Sequence, residues 1–184
     1  MKFIPQSIED VILIEPTTHG DDRGYFVETF RQDLFEEAIG YKVNFVQDNE
    51  SKSTKGVLRG LHYQLPPYTQ AKLVRVIEGS VLDVAVDIRK SSPTFGQHVS
   101  VELTAQNKHQ LFVPHGFAHG FIVLSDSATF AYKVGNYYAP EHDRGIAFDD
   151  EQLKIDWQLL AEELQLSDKD KTHPSLANAK DLLE

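Results

Sequence analysis

Ala71-Lys72-Leu73-Val74-Arg75-Val76-Ile77-Glu78 and Val81-Leu82-Asp83-Val84-Ala85-Val86-Asp87-Ile88, separated by Gly79-Ser80, decide the fold class. Both runs are short, rich in β-branched residues and joined by a turn signal, so 71–88 reads as a β-hairpin. In the second run, strict alternation puts Asp83 and Asp87 on one face and Leu82, Val84, Val86 and Ile88 on the other. The acidic face is either solvated or the lining of a polar interior. In an interior a buried acid must be paired, and Lys72, one strand earlier, is the natural partner.

The same pattern continues outward. Upstream, strands are expected over 11–14, 24–30, 43–47 and 57–64; downstream, over 99–103, 110–113, 121–124 and 129–134. Many short strands at near-regular spacing indicate an all-β sandwich or barrel of jelly-roll type. A few short peripheral helices are expected: 32–39, stopped by Gly40, then 159–166 and 175–183. No linker or repeat divides the chain. Residues 1–184 are read as a single domain, with the acidic segment from about 150 to 184 packed on the β-structure.

Composition narrows the function. With 18 Lys+Arg against 28 Asp+Glu, the formal net charge is 18 − 28 = −10, which argues against a nucleic-acid partner. The absence of cysteine excludes a disulfide framework, a thiolate zinc site and a cysteine nucleophile. No apolar run approaches the roughly 20 residues of a membrane span. The N-terminus has acids by Glu9-Asp10 and no secretory h-region. The expectation is a soluble, cytoplasmic protein with no membrane partner.

His19, His98, His109, His142 and His173 read as solvated turn residues. His62 differs, because it lies inside Leu58-Arg59-Gly60-Leu61-His62-Tyr63-Gln64. His119 lies in Pro114-His115-Gly116-Phe117-Ala118-His119, a turn that feeds a strand. Jelly-roll metal proteins called cupins use a His-x-His pair, a following Glu and a His in such a Pro-x-Gly-x-x-His turn. Here Gln64 replaces the second imidazole, and Lys72 stands near the position of the Glu. A divalent site usually needs three or more ligands and no ammonium among them, so no metal is expected. Proton chemistry remains. His62 can act as a base near neutral pH, Lys72 can supply fixed positive charge, and Tyr132, with an ordinary pKa of about 10, is a proton donor. Arg23, Arg59, Lys133, Arg144 and Lys169 form a candidate anion clamp. Arg59 and His62 would fall on opposite faces of a regular strand, so a bulge or twist is expected near Gly60.

Several stretches, in order, resemble the dTDP-4-dehydrorhamnose 3,5-epimerase family. They are Asp22-Arg23-Gly24-Tyr25-Phe26, Gln47-Asp48-Asn49-Glu50-Ser51-Lys52-Ser53, Gly56-Val57-Leu58-Arg59-Gly60-Leu61-His62-Tyr63-Gln64, Lys72-Leu73-Val74, Gly79-Ser80-Val81-Leu82-Asp83-Val84, Pro114 to Phe121, Tyr132-Lys133 and Ser167-Asp168-Lys169-Asp170. The resemblance implies a metal-free, cofactor-free cupin-type jelly roll, a homodimer, acting on a dTDP-linked 4-keto-6-deoxyhexose with inversion at C3 and C5. It implies that His62 is the catalytic base, oriented by Asp170. It makes Tyr132 the acid on the opposite face of the sugar, Lys72 the support of the enolate oxygen, and Asp83 a supporting acid. It assigns substrate contacts to Arg23, Phe26, Glu28, Gln47, Asp48, Asn49, Arg59, Lys72, His119 and Lys169. Tyr138 would stack on the thymine, with Tyr137 the neighbouring alternative. Asp143 stands where the family commonly has Glu, and Phe148-Asp149-Asp150-Glu151 replaces its Trp-Asn-Asp-Pro. The implied setting is L-rhamnose supply for surface polysaccharide. The alternatives are an epimerase inverting one carbon, a metal-dependent cupin and a non-catalytic sugar-binding jelly roll.

Overall fold

The computed structural model describes residues 1–184. In chain order the strands are β1 (Lys2–Pro5), β2 (Ile12–Glu15), β3 (Thr18–Asp21), β4 (Gly24–Val27), β5 (Gln47–Thr54), β6 (Leu58–Gln64), β7 (Lys72–Glu78), β8 (Ser80–Asp87), β9 (His98–Thr104), β10 (Gln110–Val113), β11 (Phe117–Val123), β12 (Ser127–Val134) and β13 (Asp143–Gly145). A single α-helix, α1 (Gln32–Ile39), precedes β5 and ends on Gly40 in the left-handed conformation (φ 80°). One antiparallel sheet has the order β1-β2-β10-β7-β12-β5 and the other β13-β6-β11-β8-β9; β3 and β4 form a separate hairpin. Val74 and Val76 of one sheet and Val81, Ala85, Phe117 and Phe121 of the other bury into one shared core. The two sheets therefore face each other, as in a cupin-type jelly roll.

The 71–88 stretch is not a hairpin. β7 bonds to β10 and β12, whereas β8 bonds to β9 and β11 in the opposite sheet. Gly79 (φ 80°) is the corner between the sheets. A Cβ there would meet the Ser127 carbonyl oxygen at 2.0 Å, so only glycine fits. The alternation in β8 holds. Leu82, Val84, Val86 and Ile88 pack outward beneath Leu153, Trp157, Leu176 and Leu183 of the C-terminal segment. Both faces of β8 are thus covered, which is why it reads as almost continuously apolar. The helices expected over 159–166 and 175–183 reduce to single 3-10 turns at Ala161–Glu163 and Leu176–Asn178. On the outer face of the first sheet, Phe35 of α1 packs with Ile12, Ile14, Val43 and Leu73. The strand expected over 43–47 is instead the irregular lead into β5.

Candidate active site

β6 carries the bulge that its side chains require. Against β11, His119 pairs with His62 but Phe121 pairs with Arg59, so one extra residue is inserted at Gly60-Leu61. Leu58, Leu61 and Tyr63 consequently join the outer cluster, while Arg59 and His62 line one interior cavity. Glycine is required on both sides of the crossing. A Cβ on Gly60 (φ 134°) would stand 2.5 Å from Gly120 Cα, and one on Gly120 would stand 2.7 Å from the Arg59 carbonyl oxygen.

The cavity has two lobes. One of about 440 Å³ includes Ser51, Arg59, His119, Phe130, Ser167 and Asp170; the other, of about 400 Å³, includes Gln47, Asn49, Gln64, Tyr138 and Asp143. They meet at His62, Lys72, Tyr132 and Lys169, which line both. His62 comes from one sheet, and Lys72 and Tyr132 from the adjacent β7 and β12 of the other. Lys72 pairs with Val134, two residues along β12 from Tyr132, so the ammonium and the phenol share the face opposite His62.

His62 Nε2 is 2.5 Å from Asp170 Oδ1, and Ser167 Oγ donates to Asp170 Oδ2 at 2.8 Å. Burial pushes the Asp170 carboxyl up, but donors from His173, His62 and Ser167 outweigh it and hold it well below the usual carboxylate range. Ionised, Oδ1 can only accept, so His62 Nε2 carries the hydrogen and Nδ1 is the basic atom. Burial pushes the His62 imidazolium down; the bond and charge of Asp170 only partly offset this, and the Lys72 and Lys169 charges add to it. Burial also lowers the Lys72 ammonium to about 8, although Asp83 and Asp143 pull it up. It raises the Tyr132 phenol, against the Arg59 charge, so the phenol stays protonated at neutral pH.

Asp83 does not pair with Lys72. Both of its oxygens lie 3.0 Å from His119 Nε2, in a buried contact at the cavity wall. Arg59 donates to Ser53 Oγ, and Asp143 accepts from Tyr138 Oη and from Lys169. Tyr138, not Tyr137, lines the second lobe. Four residues stand apart from the cavity within one chain. Asp48 lies on the outer face of β5, paired with Lys133. Arg23 and Phe26 belong to the exposed β3–β4 hairpin, and Glu28 is exposed just beyond it.

Two residues act in ways the sequence did not disclose. Gln64, two residues after His62 on β6, uses its whole amide as a clasp. Nε2 donates to the Tyr68 and Tyr137 carbonyls, and Oε1 accepts from the Ala139 amide, pinning the loop that carries Tyr138. His173 is buried beside Asp170 instead of solvated. A signal existed: in a 3-10 turn, residues three apart eclipse, which stacks His173 over Asp170. His62, Asp170 and His173 place three potential ligand atoms within 4.8 Å of one another. The 2.5 Å His62–Asp170 contact is nevertheless a hydrogen bond, shorter than the roughly 3.3 Å between neighbouring ligands on a tetrahedral zinc. The set fits an oriented imidazole better than a metal.

The family model described as dTDP-4-dehydrorhamnose 3,5-epimerase matches residues 5–178. The dTDP-4-dehydrorhamnose 3,5-epimerase of Shigella flexneri is 59% identical over 170 residues, covering 92% of this chain and 93% of that protein. The crystal structure of the Legionella pneumophila dTDP-6-deoxy-D-glucose-3,5-epimerase with dTDP-4-keto-L-rhamnose has a TM-score of 0.95 at 51% identity, covering 100% of this chain and 97% of that one. A 3′-monoepimerase from Streptomyces bikiniensis, solved with dTDP-quinovose, has a TM-score of 0.88 at 37% identity, covering 96% and 88%. With a glycine-dependent bulge that turns Arg59 and His62 into one cavity, and with matches spanning nearly the whole chain, this protein belongs to the dTDP-4-dehydrorhamnose 3,5-epimerase family.

Proposed function

We propose that the protein is an isomerase that inverts C3 and C5 of dTDP-4-dehydro-6-deoxy-D-glucose to give dTDP-4-dehydro-L-rhamnose, in dTDP-L-rhamnose biosynthesis. One observation carries this reading: His62, backed by Asp170, faces Lys72 and Tyr132 across a single cavity. A hydrogen α to a ketone is a weak acid, so its removal needs a positioned base and preformed charge for the oxyanion. His62 Nδ1 takes the proton, and the imidazolium is stabilised by Asp170. The Lys72 ammonium faces the C4 oxygen as the enolate forms. Tyr132, kept protonated by burial, returns a proton from the opposite face, which inverts the carbon. Arg59, His119, Gln47, Asn49 and Lys169 hold the nucleotide sugar along the two lobes, Tyr138 stacks on the base, and Asp83 fixes the His119 ring.

The same reading includes a homodimer. Arg23, Phe26, Glu28 and Asp48 serve as substrate contacts only if a second copy brings its β3–β4 hairpin and sheet edge to the cavity. The rings of Tyr25 and Phe26, 62% and 69% exposed, are apolar surface that such a contact would cover.

Incubation with the 4-keto sugar nucleotide in heavy water tests the assignment by proton NMR. Deuterium at both C3 and C5, with the L-rhamno product, is the expected outcome. Exchange and inversion at one carbon would replace it with the monoepimerase reading, which the Streptomyces bikiniensis neighbour supports. Binding with no exchange would overturn it.

A further inference from the structure

His173 is the one buried side chain whose nitrogen lacks a well-formed hydrogen bond: its Nε2 lies 3.4 Å from Asp170 Oδ1 and has no other partner. The ring is only 9% exposed and meets His62 edge to face, with centroids 5.6 Å apart at 81°. Its seat is shaped for it, because a Cβ on Gly145 would come within 2.4–2.5 Å of three ring atoms. Gly145 in turn pairs with His62 across β13 and β6. One carboxylate oxygen is thus shared by two imidazoles, one facing the cavity and one behind it.

We propose that His173 is a positioning residue for His62: it holds the ring of the base from behind and takes a share of the Asp170 oxygen that His62 uses. The inference rests on His62 being the base. A donor on Oδ1 withdraws charge from the carboxylate and weakens its support of the His62 imidazolium. Removing that donor makes His62 more basic, so a larger fraction is protonated, and idle, at neutral pH. The other groups facing His62 are Lys72 from β7, Lys169 from the preceding loop, Asp143 from β13, Tyr132 from β12, the Asp83–His119 pair from β8 and β11, and Arg59 on its own strand. None of them is altered by a change at 173.

The test uses His173→Phe, which keeps the ring but not the donor, and His173→Gln, whose amide N–H reaches the Nε2 position. Histidine NMR titration of the full-length protein without substrate reads the His62 midpoint directly. The expected result is an upward shift of about half a pH unit in His173→Phe and a midpoint close to wild type in His173→Gln. The acid limb of kcat/KM should move up by the same half unit in the Phe variant only, a loss of about threefold well below the midpoint. An unmoved midpoint, or equal shifts in both variants, overturns the proposal. Because the titration needs no turnover, it stands apart from the heavy-water assay of His62→Ala. Retained exchange in that variant would remove the base assignment while leaving the His62–His173 coupling measured.

Discussion

Asp170 and Asp87 are both buried, and both carboxylates are held low by three donors against the upward push of burial. Around Asp87 the donors are Arg89, Ser92 and Thr94, all within seven residues on one turn, and they hold it at about 2. Around Asp170 they are Ser167 and two imidazoles, and His62 is brought from 108 residues away. The guanidinium never gives up its proton, whereas an imidazole does so near neutrality. The same acid therefore locks a turn in one place and supports a base in the other. What separates structure from chemistry here is whether the partner can titrate.

That contrast can be broken by single substitutions. His62→Ala should lower the rate of exchange and inversion on the order of 10³-fold, with a melting temperature close to wild type. Asp87→Ala should do the reverse. It leaves Arg89 partly buried without its main partner and should lose about 3–5 kcal/mol of stability in denaturant titration, with kcat of the folded fraction nearly intact. Lys72→Met should cost on the order of 10²-fold in kcat, the effect of one oxyanion donor, and little stability.

The mildest intervention is pH. Activity needs neutral His62 and charged Lys72, so kcat/KM should be bell-shaped. Its acid limb should lie below the ordinary histidine value of about 6.5 and its basic limb near 8, where the Lys72 ammonium is lost. Tyr132, pushed upward, does not set the basic limb. Both depressed carboxylates stabilise the fold above the unfolded aspartate pKa of about 3.9, and that stability is lost as pH falls toward their folded values. Below its acid limb the protein should be idle but still folded, and should recover fully on return to pH 7. Coincident loss of activity and of near-UV circular dichroism would contradict the separation.

Much of this was legible in the residues, and the misses share a cause. The bulge at Gly60 followed from Arg59 and His62 having to share a face, and α1 followed from its stop at Gly40. β5 was missed because Gln47-Asp48-Asn49-Glu50-Ser51-Lys52-Ser53-Thr54 has no apolar alternation. Its inward residues line a polar cavity, and eight pairs with β12 hold it in the sheet. The Gly79 corner looks like a hairpin turn because local sequence does not say which sheet a strand joins. Leucines at helical spacing after residue 158 meet the outer face of β6, β8 and β11, so docking satisfies them without a helix. Partners are harder still to read: Asp83 pairs with His119 and not with Lys72, and the His173 side chain is buried beside Asp170 and not solvated, because pairing depends on contacts remote in sequence.

The clasp made by Gln64 ties the cavity wall to the loop that carries Tyr138. An imidazole introduced at 64 would release three backbone groups of the neighbouring loop at once, because a ring cannot reproduce an amide that donates to two carbonyls and accepts from one N–H. A change at residue 64 would therefore be felt first in the loop that holds Tyr138, ahead of any effect on the groups that handle protons.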